Sequence, residues 1–261
     1  MLQALWQYRS FIWGMVAREF RARYVSSLLG GLWAVLQPLA TILIYTVVFG
    51  RIMHARLPGL DDTLAYSLYL CAGLFPWLYF SEVLQRCQTV FLDNAALLKK
   101  MSFPRISLPV ILLLSSTINF GITFALFLGL LLVTGRFPGW AIVAFVPLLV
   151  LQQAFALGLG VCLGTLNVFY RDVAQFVSVM LQFWFWLTPI IYAVAVVPES
   201  VQRFMAFNPL YGPTRAYQQL VLQGAWPTWS DATLLTATAA VTLAAGFFAF
   251  WKLSGEMIDE I

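Results

Sequence analysis

The chain has 261 residues, 61% of them hydrophobic and only 10% charged, with a mean hydropathy of +0.84 and a formal net charge of +4. Soluble domains carry about a quarter charged residues, so the composition excludes a soluble enzyme and identifies an integral membrane protein. The uncharged runs are continuous and helix-length, which favours an α-helical bundle over a β-barrel of alternating short strands.

The chain opens with a basic segment. Arg9, Arg18, Arg21 and Arg23 lie just before a stretch without charge from Tyr24 to Gly50. Guanidinium groups enter hydrocarbon at high cost, so these four hold the N-terminal end at a cytoplasmic membrane face. At helical spacing Trp13, Val16, Phe20 and Tyr24 form one stripe, which predicts an amphipathic helix over 1–24 lying in the interface. The basic region is too long, and the following span too long, for a cleaved signal, so this segment is expected to be retained.

Charges divide the remainder into long uncharged windows at 24–50, 63–81, 106–135, 137–170, 173–198 and 232–251. Each reaches or approaches the roughly 20 residues that a spanning helix needs. The expected fold is therefore all-α, with six transmembrane helices in a bundle over 25–253 and a tail over 254–261, all in one domain. An even number of spans puts both termini on one side. With that side cytoplasmic, Arg86, Lys99, Lys100, Arg105, Arg171 and Lys252 join the N-terminal arginines inside, leaving Arg51, Arg56, Arg136, Arg203 and Arg215 outside. That bias has the expected direction.

The second window runs into Glu82 and Arg86, an i,i+4 pair able to neutralise itself. Asp93-Asn94 then predicts the start of a short cytoplasmic helix, AALLKKM, ending before Phe103-Pro104-Arg105. The third window carries Gly121, Ala125 and Gly129 at fourfold spacing and the fourth carries Ala156, Gly160 and Gly164. Small-residue stripes let backbones approach closely in lipid, and these two are expected to pack against each other. The fourth window ends at Asn167-Val168-Phe169-Tyr170-Arg171-Asp172, a second short cytoplasmic turn.

The fifth window holds Phe176, Phe183, Trp184 and Trp186, with Pro189 expected to bend the helix. Aromatic belts sit at membrane interfaces, whereas Trp184 and Trp186 fall mid-window. Between Glu199 and Asp231 lie uncharged pieces too short to span, which predicts a re-entrant or interfacial helical hairpin on the outer side.

No arrangement of His, carboxylate, Ser or Cys suggests catalysis, and no metal role is expected for the lone His54 or for Cys71, Cys87 and Cys162. There is no P-loop, since Lys99, Lys100 and Lys252 follow no such glycine-rich run. The basic residues mark loops rather than a nucleic-acid surface. Transport driven by a separate energy source remains; the alternatives are an ion-coupled carrier using Glu82, or a membrane scaffold that transports nothing itself.

Several motifs carry a resemblance. Arg18-Glu19-Phe20-Arg21 and Arg23-Tyr24 precede Ser26-Ser27-Leu28-Leu29-Gly30-Gly31-Leu32-Trp33 and Gln37-Pro38; Phe103-Pro104-Arg105, Asn167-x-x-Tyr170-Arg171-Asp172, Pro189-x-x-Tyr192 and Asn208-Pro209 follow in order. This order resembles the membrane subunits of ABC-type exporters for O-antigen, capsule and teichoic acid. The resemblance implies a homodimeric permease in the cytoplasmic (inner) membrane that docks two copies of an ATP-binding subunit and moves a lipid-linked glycan. It implies no cofactor of the chain's own, ATP being bound by the partner. Another lipid or oligosaccharide is the alternative cargo.

On that resemblance Arg18, Arg21, Arg23, Lys99, Lys100, Arg105, Tyr170, Arg171 and Asp172 receive the ATPase motion. Phe204, Phe207, Tyr211 and Tyr217 belong to external gate helices. Flat aromatic faces stack on sugar C–H surfaces without demanding one hydrogen-bond pattern, which makes Trp33, Tyr45, Phe176, Phe183, Trp184, Trp186 and Tyr192 candidates for the substrate channel. Ordinary packing is the competing reading of these aromatics, and topology is that of the basic loops.

Overall fold

The computed structural model describes residues 6–25, 30–48, 63–100 and 103–260, and no strand occurs among them. Ser26 to Leu29 of the N-terminal motif, Arg51, His54 and Arg56 lie outside the described residues. The longer helices are α1 (Arg9–Val25), α2 (Trp33–Tyr45), α3 (Thr63–Asp93), α4 (Ala95–Lys100), α5 (Ser107–Val133), α6 (Phe145–Phe169) and α7 (Asp172–Leu187). After α7 come α8 (Glu199–Met205), α9 (Tyr211–Gln223), α10 (Trp229–Leu253) and α11 (Met257–Glu260).

Five segments are long and apolar enough to cross a membrane, namely Gly30–Val48, Leu64–Asp93, Ser107–Val133, Gly139–Phe169 and Trp229–Leu253. The fifth uncharged window behaves differently. Its helix α7 has 16 residues and ends at Leu187, so it rises about 24 Å against a hydrocarbon core of about 30 Å. Thr188 is extended, with φ −105° and ψ 129°, the conformation imposed on a residue that precedes proline. Pro189 thus ends the helix rather than bending it.

α3 is the axis of the bundle. It is nearly enclosed along its length, whereas α2 is mostly outward-facing. Phe75 meets Phe127 of α5 with ring centroids 5.5 Å apart, Phe80 stacks on Phe155 of α6 at 5.6 Å, and Phe91 stacks on Phe250 of α10 at 5.7 Å.

The small-residue stripes of α5 and α6 do not meet. A Cβ on Gly121 or Gly129 would find nothing within 4 Å. Gly160 and Gly164 instead abut Cys87 of α3, and Gly158 faces Gly246 of α10 with backbone against backbone. The reason lies in the partner surfaces: α10 offers a matching glycine and α3 a small cysteine, whereas the α5 stripe faces no neighbour.

The face of α1 is also rotated from its expected position. Ile12 and Val16 are its buried residues, packed on Ile111 of α5 with Phe11, Met15 and Leu114, while Trp13 is exposed. The helix has neighbours on one side, and the side chains at i and i+4 that face α5 decide the stripe.

Several ends are fixed by local chemistry. α5 closes on Gly135 (φ 68°), with Gly135 N–H donating to Leu132 O at 3.1 Å and Arg136 N–H to Leu131 O at 2.9 Å, a left-handed glycine closure. α10 starts at a capping box in which Thr228 and Asp231 satisfy each other's backbone. The segment between Glu199 and Asp231, expected to be a helical hairpin, holds two helices, α8 and α9. α9 lies against α3 and α10, with Tyr217 and Leu220 fully buried.

Candidate functional site

One end of the bundle gathers the expected ATPase-facing elements. α1 packs on the start of α5, α4 follows the end of α3, and α6 turns into α7 through Tyr170 and Arg171. Asn167, buried at the end of α6, ties this end together. Its Nδ2 donates to Gln88 O of α3 at 3.1 Å and its Oδ1 accepts from Ala174 N–H at 3.1 Å, satisfying one of the unpaired donors in the first turn of α7. Of the residues expected to face the ATPase, Arg18, Arg21, Lys99, Lys100, Tyr170, Arg171 and Asp172 are exposed, and Arg105 is half-buried.

Arg23 is placed otherwise. Its Nη2 donates to Glu82 Oε1 on α3 at 2.7 Å. The same oxygen accepts from Arg86 Nη1 and from Ser116 Oγ of α5, each at 3.3 Å. Arg86 Nη1 also donates to Ser116 Oγ at 3.1 Å, and its Nη2 pairs with Glu19 of α1. Two arginines and two carboxylates therefore lace α1 to α3, and Ser116 joins α5 to them. Side chains only 25–32% exposed gain more from such pairing than surface ions do.

This collar separates two cavities. Above it, between α2, α3 and α5, is a space of about 710 Å³ lined by Arg23, Glu82 and Arg86 along with amides, hydroxyls and rings, including Trp33. Below it, between α1, α3 and α5, is one of about 340 Å³ lined by Arg18, Glu19 and Arg86. Arg86 borders both. The i,i+4 pairing of Glu82 with Arg86 expected from the sequence is present, and the structure adds Arg23, Glu19 and Ser116.

On α7 the aromatics divide. Phe176, Phe183 and Trp186, with Val179, form an exposed outward stripe. Trp184 turns inward, its ring 5.4 Å from Phe80, 5.8 Å from Phe155 and 6.3 Å from Trp77. Its Nε1 donates to Asn208 Oδ1 at 2.8 Å. Asn208 Nδ2 donates in turn to Thr188 Oγ1 at 2.9 Å and Leu187 O at 3.2 Å. A largely apolar cleft of about 360 Å³ joins the two predicted groups here, lined by Phe183 and Trp184 on one side and Phe204 and Phe207 on the other.

The chain past α7 is irregular, and side chains supply its hydrogen bonds, as buried irregular backbone requires. Tyr66 O–H donates to Ile191 O at 2.5 Å, Tyr69 O–H to Tyr192 O at 3.0 Å and Gln218 Nε2 to Pro189 O at 2.9 Å. Tyr192 O–H donates to Trp186 O at 2.6 Å. Tyr217 is wholly buried, its O–H donating to Gln152 Oε1 at 3.0 Å, while Gln152 Nε2 donates to Pro76 O at 2.9 Å. Tyr211 is half-buried beneath the Arg215 guanidinium, 5.4 Å from its ring, and Tyr45 packs against the main core.

Asn167, Gln152, Asn208 and Gln218 were not singled out as functional side chains by the sequence reading. Their signal was present as isolated carboxamides inside or beside apolar windows, which need a partner in hydrocarbon.

Comparison with known proteins gives the family. Residues 10–222 match the family model of the ABC-2 type transporter. The chain is 31% identical over 245 residues to the O-antigen export system permease protein RfbA of Myxococcus xanthus, covering 93% of this chain and 91% of that one. It is 31% identical over 237 residues to the protein of the same name from Klebsiella pneumoniae, covering 90% and 89%. The polysialic acid transport protein KpsM of Escherichia coli is 23% identical over 210 residues, 79% of either chain. With several apolar spans, no strand among the described residues, and relatives aligned nearly end to end, the chain is a multi-pass membrane protein and belongs to the ABC-2 type transporter family.

Proposed function

We propose that the chain is the permease subunit of an ATP-driven exporter that carries a lipid-linked polysaccharide across the cytoplasmic membrane. The observation that carries this reading is alignment with named O-antigen export permeases over about nine-tenths of both chains. The chain acts as one permease domain with six spans, α7 being the short one, and with α8 and α9 as the outer gate elements. Both termini face the cytoplasm, where the exposed cations meet two ATP-binding subunits. Two copies associate, with the Phe176, Phe183 and Trp186 stripe turned toward the shared path.

The collar supports an external energy source. Glu82 accepts from two arginines and a serine on one oxygen, an arrangement suited to joining helices rather than to cycling a proton. α1 carries two of the collar's four ions, so force applied to α1 reaches α3 and α5 directly.

Reconstitution into liposomes tests the reading. With the cognate ATP-binding subunit, ATP should drive lipid-linked glycan from one leaflet to the other; the permease alone should move none under an imposed proton gradient. Gradient-driven transport by the chain alone would establish the carrier instead. Export that persists with a hydrolysis-dead ATPase would point to the scaffold.

A further inference from the structure

The 710 Å³ cavity above the collar lies within the range of about 300–1,000 Å³ typical of ligand sites, and it is formed inside a single subunit. Three helices turn a stripe toward it, each at helical spacing. α2 contributes Ala34, Gln37, Pro38 and Thr41; α3 contributes Phe75, Leu78, Tyr79 and Gln85; α5 contributes Asn119, Phe120 and Thr123.

The lining selects the occupant. Thr41 Oγ1 donates to Gln37 O at 2.9 Å, Ser81 Oγ to Leu78 O at 3.0 Å and Thr123 Oγ1 to Asn119 O at 3.4 Å. These hydroxyl protons are committed to the helices, so their lone pairs are the groups offered to the cavity. The carboxamides of Gln37 and Gln85 supply donors and acceptors together. Tyr79 and Phe120 are buried and stack on each other at 4.6 Å as an apolar wall, and the open flat face is that of Trp33 at the rim.

An acyl chain would bury the Gln37 and Gln85 amides without giving them partners, which is unfavourable. An anion would find the cavity's two guanidinium groups already on Glu82. A neutral ligand with many hydroxyls and a C–H face matches both the amide rows and the rings.

We propose that this cavity between α2, α3 and α5 is a saccharide-binding site that holds a unit of the exported polymer within one subunit, apart from the α7–α8 cleft. The site rests on the polysaccharide-permease reading.

The test uses the full complex in nanodiscs, in a Cys162→Ala background, with Thr123→Cys as reporter. The probe is water-soluble glycan released by mild acid from the host's own lipid-linked polymer. A charged methanethiosulfonate should label the new cysteine, and the glycan should slow labelling. Gln85→Leu or Gln37→Leu should raise the glycan concentration needed about tenfold, the fold-change equal to 1.4 kcal/mol, within the range of one net hydrogen bond. Failure of the cysteine to react, or labelling unchanged by glycan in complexes that transport the lipid-linked glycan normally once moved into liposomes, overturns the site alone. Absence of ATP-driven glycan transport in those complexes overturns the functional reading beneath it.

Discussion

Replacing Glu82 with alanine removes one oxygen that receives Arg23 at 2.7 Å, Arg86 at 3.3 Å and Ser116 at 3.3 Å. Breaking a fully buried ion pair costs about 3–5 kcal/mol, whereas exposed pairs give about 0–1 kcal/mol. With the collar side chains 25–32% exposed, the expected loss is intermediate, about 1.5–3 kcal/mol. For a chain of this length that corresponds to a melting temperature lower by roughly 3–12 °C. Glu82→Gln keeps an oxygen acceptor and loses only the charge, so its loss should be the smaller. Thermal unfolding in nanodiscs reads both, and a double-mutant cycle with Arg23→Ala should return a coupling of about 1–2 kcal/mol. Additive single losses, or an unshifted Glu82→Ala melting curve, would refute the collar as a joint between α1 and α3.

Other predictions concern separate places. Asn208→Ala should cost about 2–3 kcal/mol by stranding the Trp184 indole N–H and releasing Thr188, and Asn208→Asp, which keeps the acceptor, should cost less in the same melt. Trp184→Ala should destabilise by about 3–5 kcal/mol; Trp186→Ala, at 63% exposure, should shift stability by under about 1 kcal/mol while reducing export in the liposome assay. Gly246→Leu drives a side chain into the Gly158 backbone and should collapse the monodisperse fraction on size exclusion, whereas Gly121→Leu, with nothing within 4 Å, should leave it intact. Arg105→Glu and Arg171→Glu should preserve ATP hydrolysis and lower the glycan moved per ATP.

Apolar length was plain in the sequence because hydrocarbon thickness sets it directly, and the five long spans follow the uncharged windows. The Glu82–Arg86 pair was legible for a similar reason, since i,i+4 spacing is local. What joins distant segments was not. Arg23 reaches Glu82 across 59 positions, and Tyr217 reaches Gln152 across 65; no periodicity encodes either. Trp184 and Trp186 are two positions apart on one helix and so face different surroundings, which the composition of the window hides. The stripe on α1 was misread because Trp13 and Val16 are both apolar, and only the position of Ile111 decides between faces.

At Gly158 and Gly164 of α6 and Gly246 of α10, main chain lies on main chain, and at Gly160 it lies on a cysteine. Such joints have one fit and little slack. In the cycle proposed above those three helices would serve as a stator, with the strokes left to the loosely seated α2, to α1, and to α7 with its unwound continuation.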